Sequence, residues 1–299
     1  RGIVFVPAWS VVAMQDPLDG STVWEADLPP LPITSVRYVG DRVLAGELGF
    51  GGVYVLEAST GRRLARAHFQ TQETDERREQ RGVPVVAGER LIGVAADDEH
   101  ALIAYHLADG GVAWRLSLES APLGVFEAGE DRIGVGFRGA RVVLVEASTG
   151  KVALDTTLSD TGGVFDGMLV GDVLLVQHGR TPSEDLPPVL TAVNAASGGV
   201  LWRREDLLIP EIPRDVWREC AGRLPVLFEV EDGHARQFNP VMATVLDART
   251  GRPVGPTLPF LETDARDRPL GEMSLCPGRL LIHTMAGVRV FEVTTAETK

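Results

Sequence analysis

The sequence predicts an all-β chain, a seven-bladed β-propeller of four-stranded antiparallel blades. Three observations predict it. A Ser/Thr/Asp-Gly turn set between apolar runs recurs at Gly20, Gly61, Gly110, Gly150, Gly198 and Gly251, at intervals of 41, 49, 40, 48 and 53 residues. Such a pair is a hairpin signal, because Gly takes positive φ and the preceding side chain bonds the local backbone. A second Gly-centred turn falls inside each period, at Gly40, Gly88, Gly129, Gly171, Gly222 and Gly278, and leads into an apolar strand. Four strands (A to D) then fit into about 43 residues, the size of one propeller blade.

Seven copies of the third strand, C, fix the count: Val11–Gln15, Val53–Glu57, Leu102–His106, Val142–Glu146, Leu190–Asn194, Met242–Asp247 and Val288–Val293. Six or eight blades are the alternatives, because the first repeat begins at its B strand (Gly2–Pro7) and the last ends at its C strand. The whole of 1–299 reads as one propeller domain, with blades near 1–28, 33–69, 83–119, 123–158, 164–206, 207–260 and 270–294. Blade 2 is the cleanest, with strands Ser35–Val39, Arg42–Glu47, Val53–Glu57 and Arg63–Phe69. The charged stretch Gln70–Gly82 reads as a solvated connection between blades or one exposed helical turn.

Each turn carries a polar group four residues before its Gly: Asp16, Glu57, His106, Glu146, Asn194 and Asp247. Three copies place Trp four residues after it, at Trp24, Trp114 and Trp202, whereas Ala65, Leu154 and Gly255 stand there in the others. Five of the six second turns are followed by Arg: Arg42, Arg90, Arg132, Arg223 and Arg279. These read as structural partners of turn carboxylates, with an anion-binding ring as the alternative.

Spacing points to a functional face. In this topology the B–C and D–A connections share one face. From second turn to first, blades 2, 3 and 4 need 21, 22 and 21 residues, and blades 5 and 6 need 27 and 29. The extra residues are Gln177–Asp185 in blade 5 and Glu231–Asn239 in blade 6, joined by the linkers Leu207–Trp217 and Pro259–Leu270. Long connections on one side of a rigid scaffold are where binding residues concentrate. The candidates are His178, Arg180, Asp185, Trp217, His234, Arg236 and Phe238, whose residue types suit a protein or peptide partner.

Composition excludes other classes. The net charge of −13 disfavours nucleic acid, which needs dense Lys/Arg on one face. No apolar run is long enough for a membrane span. The chain opens on Arg1, which reads as a processed chain or part of a longer polypeptide. No nucleophile motif and no phosphate loop is present. Gly49-Phe50-Gly51-Gly52 reads as a tight B–C hairpin. A zinc site from His178, His234 and Asp185 or Asp232 would need three coincidences, and no metal or cofactor is expected. Cys220 and Cys276 end equivalent innermost strands in adjacent repeats and read as two buried free thiols.

The segments Leu56–Gly61, Val193–Gly198 through Trp202, and Leu246–Gly251 resemble the repeat of the PQQ-like propellers, roughly Ala-x-Asp-x-x-Thr-Gly-x-x-x-Trp. The resemblance implies a bacterial, extracytoplasmic propeller. It spans quinone-dependent dehydrogenases, non-catalytic outer-membrane assembly lipoproteins and kinase-attached propellers. The dehydrogenases carry a vicinal Cys pair and a calcium and quinone ligand set that find no match here. The expected function is therefore a non-catalytic scaffold or sensor binding a protein or peptide over blades 5–7. The alternative is a small-molecule-binding or quinone- or metal-dependent enzyme with a site at the central channel.

Overall fold

The computed structural model describes residues 2–28, 32–47, 51–70, 84–129, 131–158, 162–178, 189–205, 207–208, 223–229, 240–254, 258–259, 269–276, 279–284 and 287–292. Among these residues the strands form seven antiparallel sheets in chain order. Sheet 1 is β1 (Ile3–Ala8), β2 (Val11–Gln15) and β3 (Thr22–Asp27). Sheet 2 is β4 (Ile33–Val39), β5 (Arg42–Glu47), β6 (Gly52–Glu57) and β7 (Arg63–His68). Sheet 3 is β8 (Val85–Ala87), β9 (Arg90–Ala95), β10 (Asp98–His106) and β11 (Val112–Ser117). Sheet 4 is β12 (Gly124–Glu127), β13 (Arg132–Gly136), β14 (Arg141–Glu146) and β15 (Val152–Thr157). Sheet 5 is β16 (Val164–Val170), β17 (Val173–His178), β18 (Val189–Asn194) and β19 (Val200–Arg204). Sheet 6 is β20 (Leu207–Leu208), β21 (Arg223–Glu229), β22 (Pro240–Asp247) and β23 (Leu258–Pro259), and sheet 7 is β24 (Pro269–Cys276), β25 (Arg279–Thr284) and β26 (Gly287–Glu292).

In every four-stranded sheet neighbours in sequence are neighbours in space, so each is a simple A-B-C-D meander. The middle strands are continuous apolar runs because both of their faces are covered: β6 is buried from Gly52 to Leu56 and β14 from Val142 to Val145. The D strands alternate or run polar, as β7 and β15 do, because one face meets water.

The chain divides into two compact units. One is Arg1–Val125 with Glu130–Ile133 and Val145–Val152; the other is Phe126–Gly129, Gly134–Leu144 and Ala153–Lys299. In the first unit, sheets 1 and 2 share a core that includes Val12, Met14, Trp24, Val43, Tyr54 and Leu56. Sheets 2 and 3 share another, with Leu44, Val55, Phe69, Leu91 and Ile103. In the second unit Phe126, Val142 and Leu144 pack with Val164, Leu174 and Val176. Phe126 lies so close to Gly134 and Gly167 that a β-carbon at either would stand 2.0 and 2.7 Å from its ring.

The repeated turns explain themselves residue by residue. The C-strand polar residue accepts the amide of the turn Gly on its own carbonyl: Gly20 to Asp16, Gly61 to Glu57, Gly110 to His106, Gly150 to Glu146, Gly198 to Asn194 and Gly251 to Asp247. Its side chain accepts the hydroxyl before the Gly in four copies: Thr60 to Glu57, Thr149 to Glu146, Ser197 to Asn194 and Thr250 to Asp247. In the other two copies Asp stands before the Gly with no hydroxyl to give, and Asp19 and Asp109 cap the amides of Ser21 and Gly111 instead. In four of the five second turns that carry Arg, it stands directly across from a polar C-strand residue: Arg42 opposite Glu57, Arg90 opposite His106, Arg223 opposite Asp247 and Arg279 opposite Glu292. The Thr60 hydroxyl, Arg62 and Arg42 all hold the Glu57 carboxyl below its ordinary range.

The repeat tryptophans are latches between consecutive sheets. Trp24 donates its indole N–H to the Ala58 carbonyl at 2.9 Å, Trp114 to Ala147 at 2.7 Å and Trp202 to Ala248 at 2.8 Å. Each ring lies on the turn Gly of the next sheet, where a β-carbon would stand 2.5 to 2.8 Å away: Gly61, Gly150 and Gly251. The turn thus needs Gly twice, for its positive φ and for the ring against it. Where Ala65 replaces the Trp, it packs with Leu107, which stands where the Trp seams have alanine. Leu154 takes the same place against Gly198.

Of the boundaries that differ from the sequence reading, three matter most. His178 closes strand β17 and does not open the connection after it, because it pairs with Val189 across the sheet. Leu207 and Leu208 form the A strand of sheet 6, pairing with Phe228 and Leu227, where a linker was expected. Strand β10 starts at Asp98, four residues before the expected start, and pairs back on Ala95. Cys276 is the last residue of β24; Cys220 lies outside the described residues, as does all of Gln70–Gly82 apart from Gln70.

Candidate functional site

In sheets 1 to 4 the end that carries the B–C connection is built to hold its connections still. In sheets 1, 2 and 4 the residue leaving the D strand donates its amide to the B–C turn of its own sheet, Leu28 to Ser10, Phe69 to Gly51 and Leu158 to Ala140, and in sheet 3 Leu118 donates to His100 near the start of β10, at 2.6 to 3.0 Å. The first residue of the next A strand does the same in two sheets, Ile33 to Trp9 at 2.7 Å and Val164 to Phe137 at 3.0 Å. Backbone groups that would otherwise need water are thereby satisfied inside the protein.

Polar side chains are buried at this end as well. Among the described residues the buried polar or charged side chains are Glu47, His178 and Thr191, exposed by 7, 2 and 1%. Glu47 and His178 occupy the same place, the last residue of a B strand. Burying such groups costs stability unless they find partners.

In the first unit, the Glu47 carboxylate receives one Arg66 nitrogen at 2.8 and 2.9 Å. The Arg66 guanidinium lies 5.2 Å from the Tyr54 ring centroid, a cation–π distance. Burial, and then the Glu47 carboxylate, push the Tyr54 phenol up. Gly52 makes the space: a β-carbon there would fall 2.0 Å from a Glu47 oxygen. In the second unit the same three chemical groups recur on sheet 4. Arg141 forms a two-pronged pair with Asp155 at 2.8 and 2.7 Å and covers the buried Phe137 ring at 5.2 Å. The Arg141 hydrogen bonds hold the Asp155 carboxyl below its ordinary range. The turn beneath is strained, with Ala140 at φ 47°.

His178 belongs to the second unit. Its Nε2 lies 2.8 Å from the Thr191 hydroxyl, and its Nδ1 is buried without a hydrogen-bond partner among the described residues. Burial, with the Arg203 charge adding to it, pushes the imidazole down to about 4, so it is neutral at physiological pH. Of the seven sequence candidates His178 alone is described; Arg180, Asp185, Trp217, His234, Arg236 and Phe238 lie outside the described residues. Among the described residues no group of three or more His, Cys, Asp or Glu is placed to hold a metal ion, and no helix is long and apolar enough to cross a membrane.

Sequence reasoning missed Trp9. It lies in the two-residue B–C turn of sheet 1 and is 80% exposed, although its carbonyl is tied to Ile33. The signal was available: an aromatic residue in a turn too short to fold back on itself.

The family model described as outer membrane protein assembly factor BamB matches residues 8–177 and 103–254 of this chain. Among solved structures the chain is similar to BamB from Moraxella catarrhalis, at 14% identity and a TM-score of 0.57, over 95% of this chain and 79% of that one. It is similar also to KlHsv2 with loop 6CD replaced by a Gly-Ser linker, at 8% identity and a TM-score of 0.54, over 79% of this chain and 72% of that one. At these identities the likeness is one of fold. No curated protein matches the chain.

Proposed function

Because the chain belongs to the family of the outer membrane protein assembly factor BamB, we propose that it is a non-catalytic, seven-bladed propeller that binds a protein or peptide through the B–C and D–A connections of sheets 5 to 7. The family name supports an assembly role. The observation that carries the reading is the stapling at the B–C ends, where D-strand exits and A-strand starts are hydrogen-bonded to the turns. The staples are described in sheets 1 to 4; in this reading a like base lies beneath the connections 179–188 and 230–239 of sheets 5 and 6, the two longest B–C connections in the chain. Preorganised loops lose less entropy on binding, which favours recognition over catalysis by a moving lid.

Arg180, Asp185, Trp217, His234, Arg236 and Phe238 are the proposed contact residues. His178 has a different role in this reading: buried and neutral, it anchors the start of the 179–188 connection through Thr191. The test is a pull-down from native lysate with the intact chain and with a chain whose 178–185 and 232–239 segments are cut to the length found in blade 2. A partner retained by the intact chain and lost on shortening supports the site. A partner indifferent to both segments refutes it.

A further inference from the structure

Sheet 1 repeats the aromatic position of sheet 4 with its cover missing. Trp9 and Phe137 are equivalent: each is the B–C turn residue whose carbonyl accepts the amide of the next A strand's first residue. Phe137 is 2% exposed, because Arg141 lies over its ring and Asp155 holds Arg141 there. Counting from the turn glycines Gly150 and Gly20, the place of Arg141 is taken in sheet 1 by Val11 and that of Asp155 by Glu25. The aromatic ring and the carboxylate are kept and the guanidinium is gone. Sheet 2 shows the complete set a second time in Tyr54, Arg66 and Glu47.

We infer that Trp9, with the carboxylates of Glu25 and Asp27 on the adjoining strand, is a docking point for an arginine side chain of a protein partner. Trp9 is 80% exposed, and Glu25 and Asp27 are exposed on β3. The two carboxylates are two residues apart and so point from one face of the strand. Asp27 is tied to the turn itself, accepting the hydroxyl of Ser10, the neighbour of Trp9, at 3.4 Å. The Trp9 carbonyl bond to Ile33 and the Ser10 carbonyl bond to Leu28 hold the turn in place before any partner arrives. A planar guanidinium can stack on an indole face while its edge meets a carboxylate, and an ammonium cannot do both. The occupant's chemistry is thus read from this chain, which supplies its own arginine for this purpose in sheets 2 and 4. The site shares no residue with the connections of sheets 5 to 7, and a chain with those connections shortened keeps its residues.

The probe is a phage-displayed library of random dodecapeptides selected on the full chain with shortened 178–185 and 232–239 segments. Enriched peptides carrying arginine are expected. Synthetic copies should bind at least 10-fold more weakly to Trp9→Ala, and several-fold more weakly when their arginine is changed to lysine. In Val11→Arg the chain should cover its own indole. Peptide binding then falls at least 10-fold, and acrylamide quenching assigned to Trp9 by difference from Trp9→Phe falls about twofold. No enrichment, peptides without arginine, binding indifferent to Trp9→Ala, or a Val11→Arg variant with unchanged quenching would each overturn the inference. A blue shift of Trp9 emission on 2:1 phosphatidylcholine–phosphatidylglycerol vesicles, with no peptide selected, would assign the indole to a lipid surface instead.

Discussion

Substituting alanine at two glycines with nearly the same backbone separates the latch from the turn. Gly20 has φ 73° and Gly61 φ 69°. A β-carbon at Gly20 meets nothing within 4 Å, whereas at Gly61 it meets the Trp24 ring at 2.5 and 2.7 Å. Left-handed backbone costs a residue with a β-carbon about 1–2 kcal/mol, and both variants lose that much. Gly61→Ala must also displace an indole that is 8% exposed and bonded to Ala58 at 2.9 Å, for about 1–3 kcal/mol more by the scale of overpacked cores. The expected losses are about 1–2 kcal/mol for Gly20→Ala and about 2–5 kcal/mol for Gly61→Ala. Urea unfolding at constant m-value reads the difference. Trp24→Ala should itself destabilise by about 3–5 kcal/mol, and in that background Gly61→Ala should cost no more than Gly20→Ala. Equal losses for the two glycines in the wild-type background would refute the latch, because φ alone would then account for Gly61.

Acid should weaken the second unit through His178. Its folded-state pKa of about 4 lies below the ordinary value near 6.5, so the unfolded chain takes up the proton first. The stability that the neutral imidazole contributes is fully present above about pH 6.5 and is lost as pH falls toward 4, by at most about 3 kcal/mol. His178→Gln should flatten that part of the pH profile of the urea midpoint; an unchanged slope would remove His178 as its source. Gly52→Ala should destabilise by about 2 kcal/mol through expulsion of the Glu47 carboxylate, and less so in a Glu47→Ala background. Additive losses measured in the same unfolding assay would show that Gly52 does not make room for Glu47.

Most strands were legible in the sequence because each repeat puts an apolar run beside a turn that only Gly completes. Arg42–Glu47 and Val11–Gln15 were read with the ends the structure gives them. What the spacing could not give was where a strand stops within a long interval. Gln177 and His178 were counted with the insertion, since polar residues after Val176 look like the start of a loop, yet pairing with Leu190 and Val189 carries β17 through both. The tryptophan positions were visible, but not their partners, which are 33, 34 and 46 residues away in the next repeat. Trp9 was passed over because candidates were sought in the long connections, whereas Trp9 lies in a turn of two residues. Of the candidate site itself the sequence showed which connections are long; the Glu47–Arg66 and His178–Thr191 pairs join strands within sheets 2 and 5, at positions where the other repeats carry different residues, so the repeat pattern gives no sign of them.

The seams between sheets are of two kinds, and they alternate. Trp24, Trp114 and Trp202 mark the wide ones, and Ala65 with Leu107, then Leu154, the narrow ones. The first four steps between turn glycines keep the same beat: Gly20 to Gly110 is 90 residues and Gly110 to Gly198 is 88, whereas single steps swing between 41 and 49, then 40 and 48; the fifth, to Gly251, is 53 and departs from it. The heritable module of this chain is therefore a doublet. Copying or losing two repeats rejoins a wide seam to a wide seam, while losing one would set an indole against Leu107 or leave alanine facing alanine.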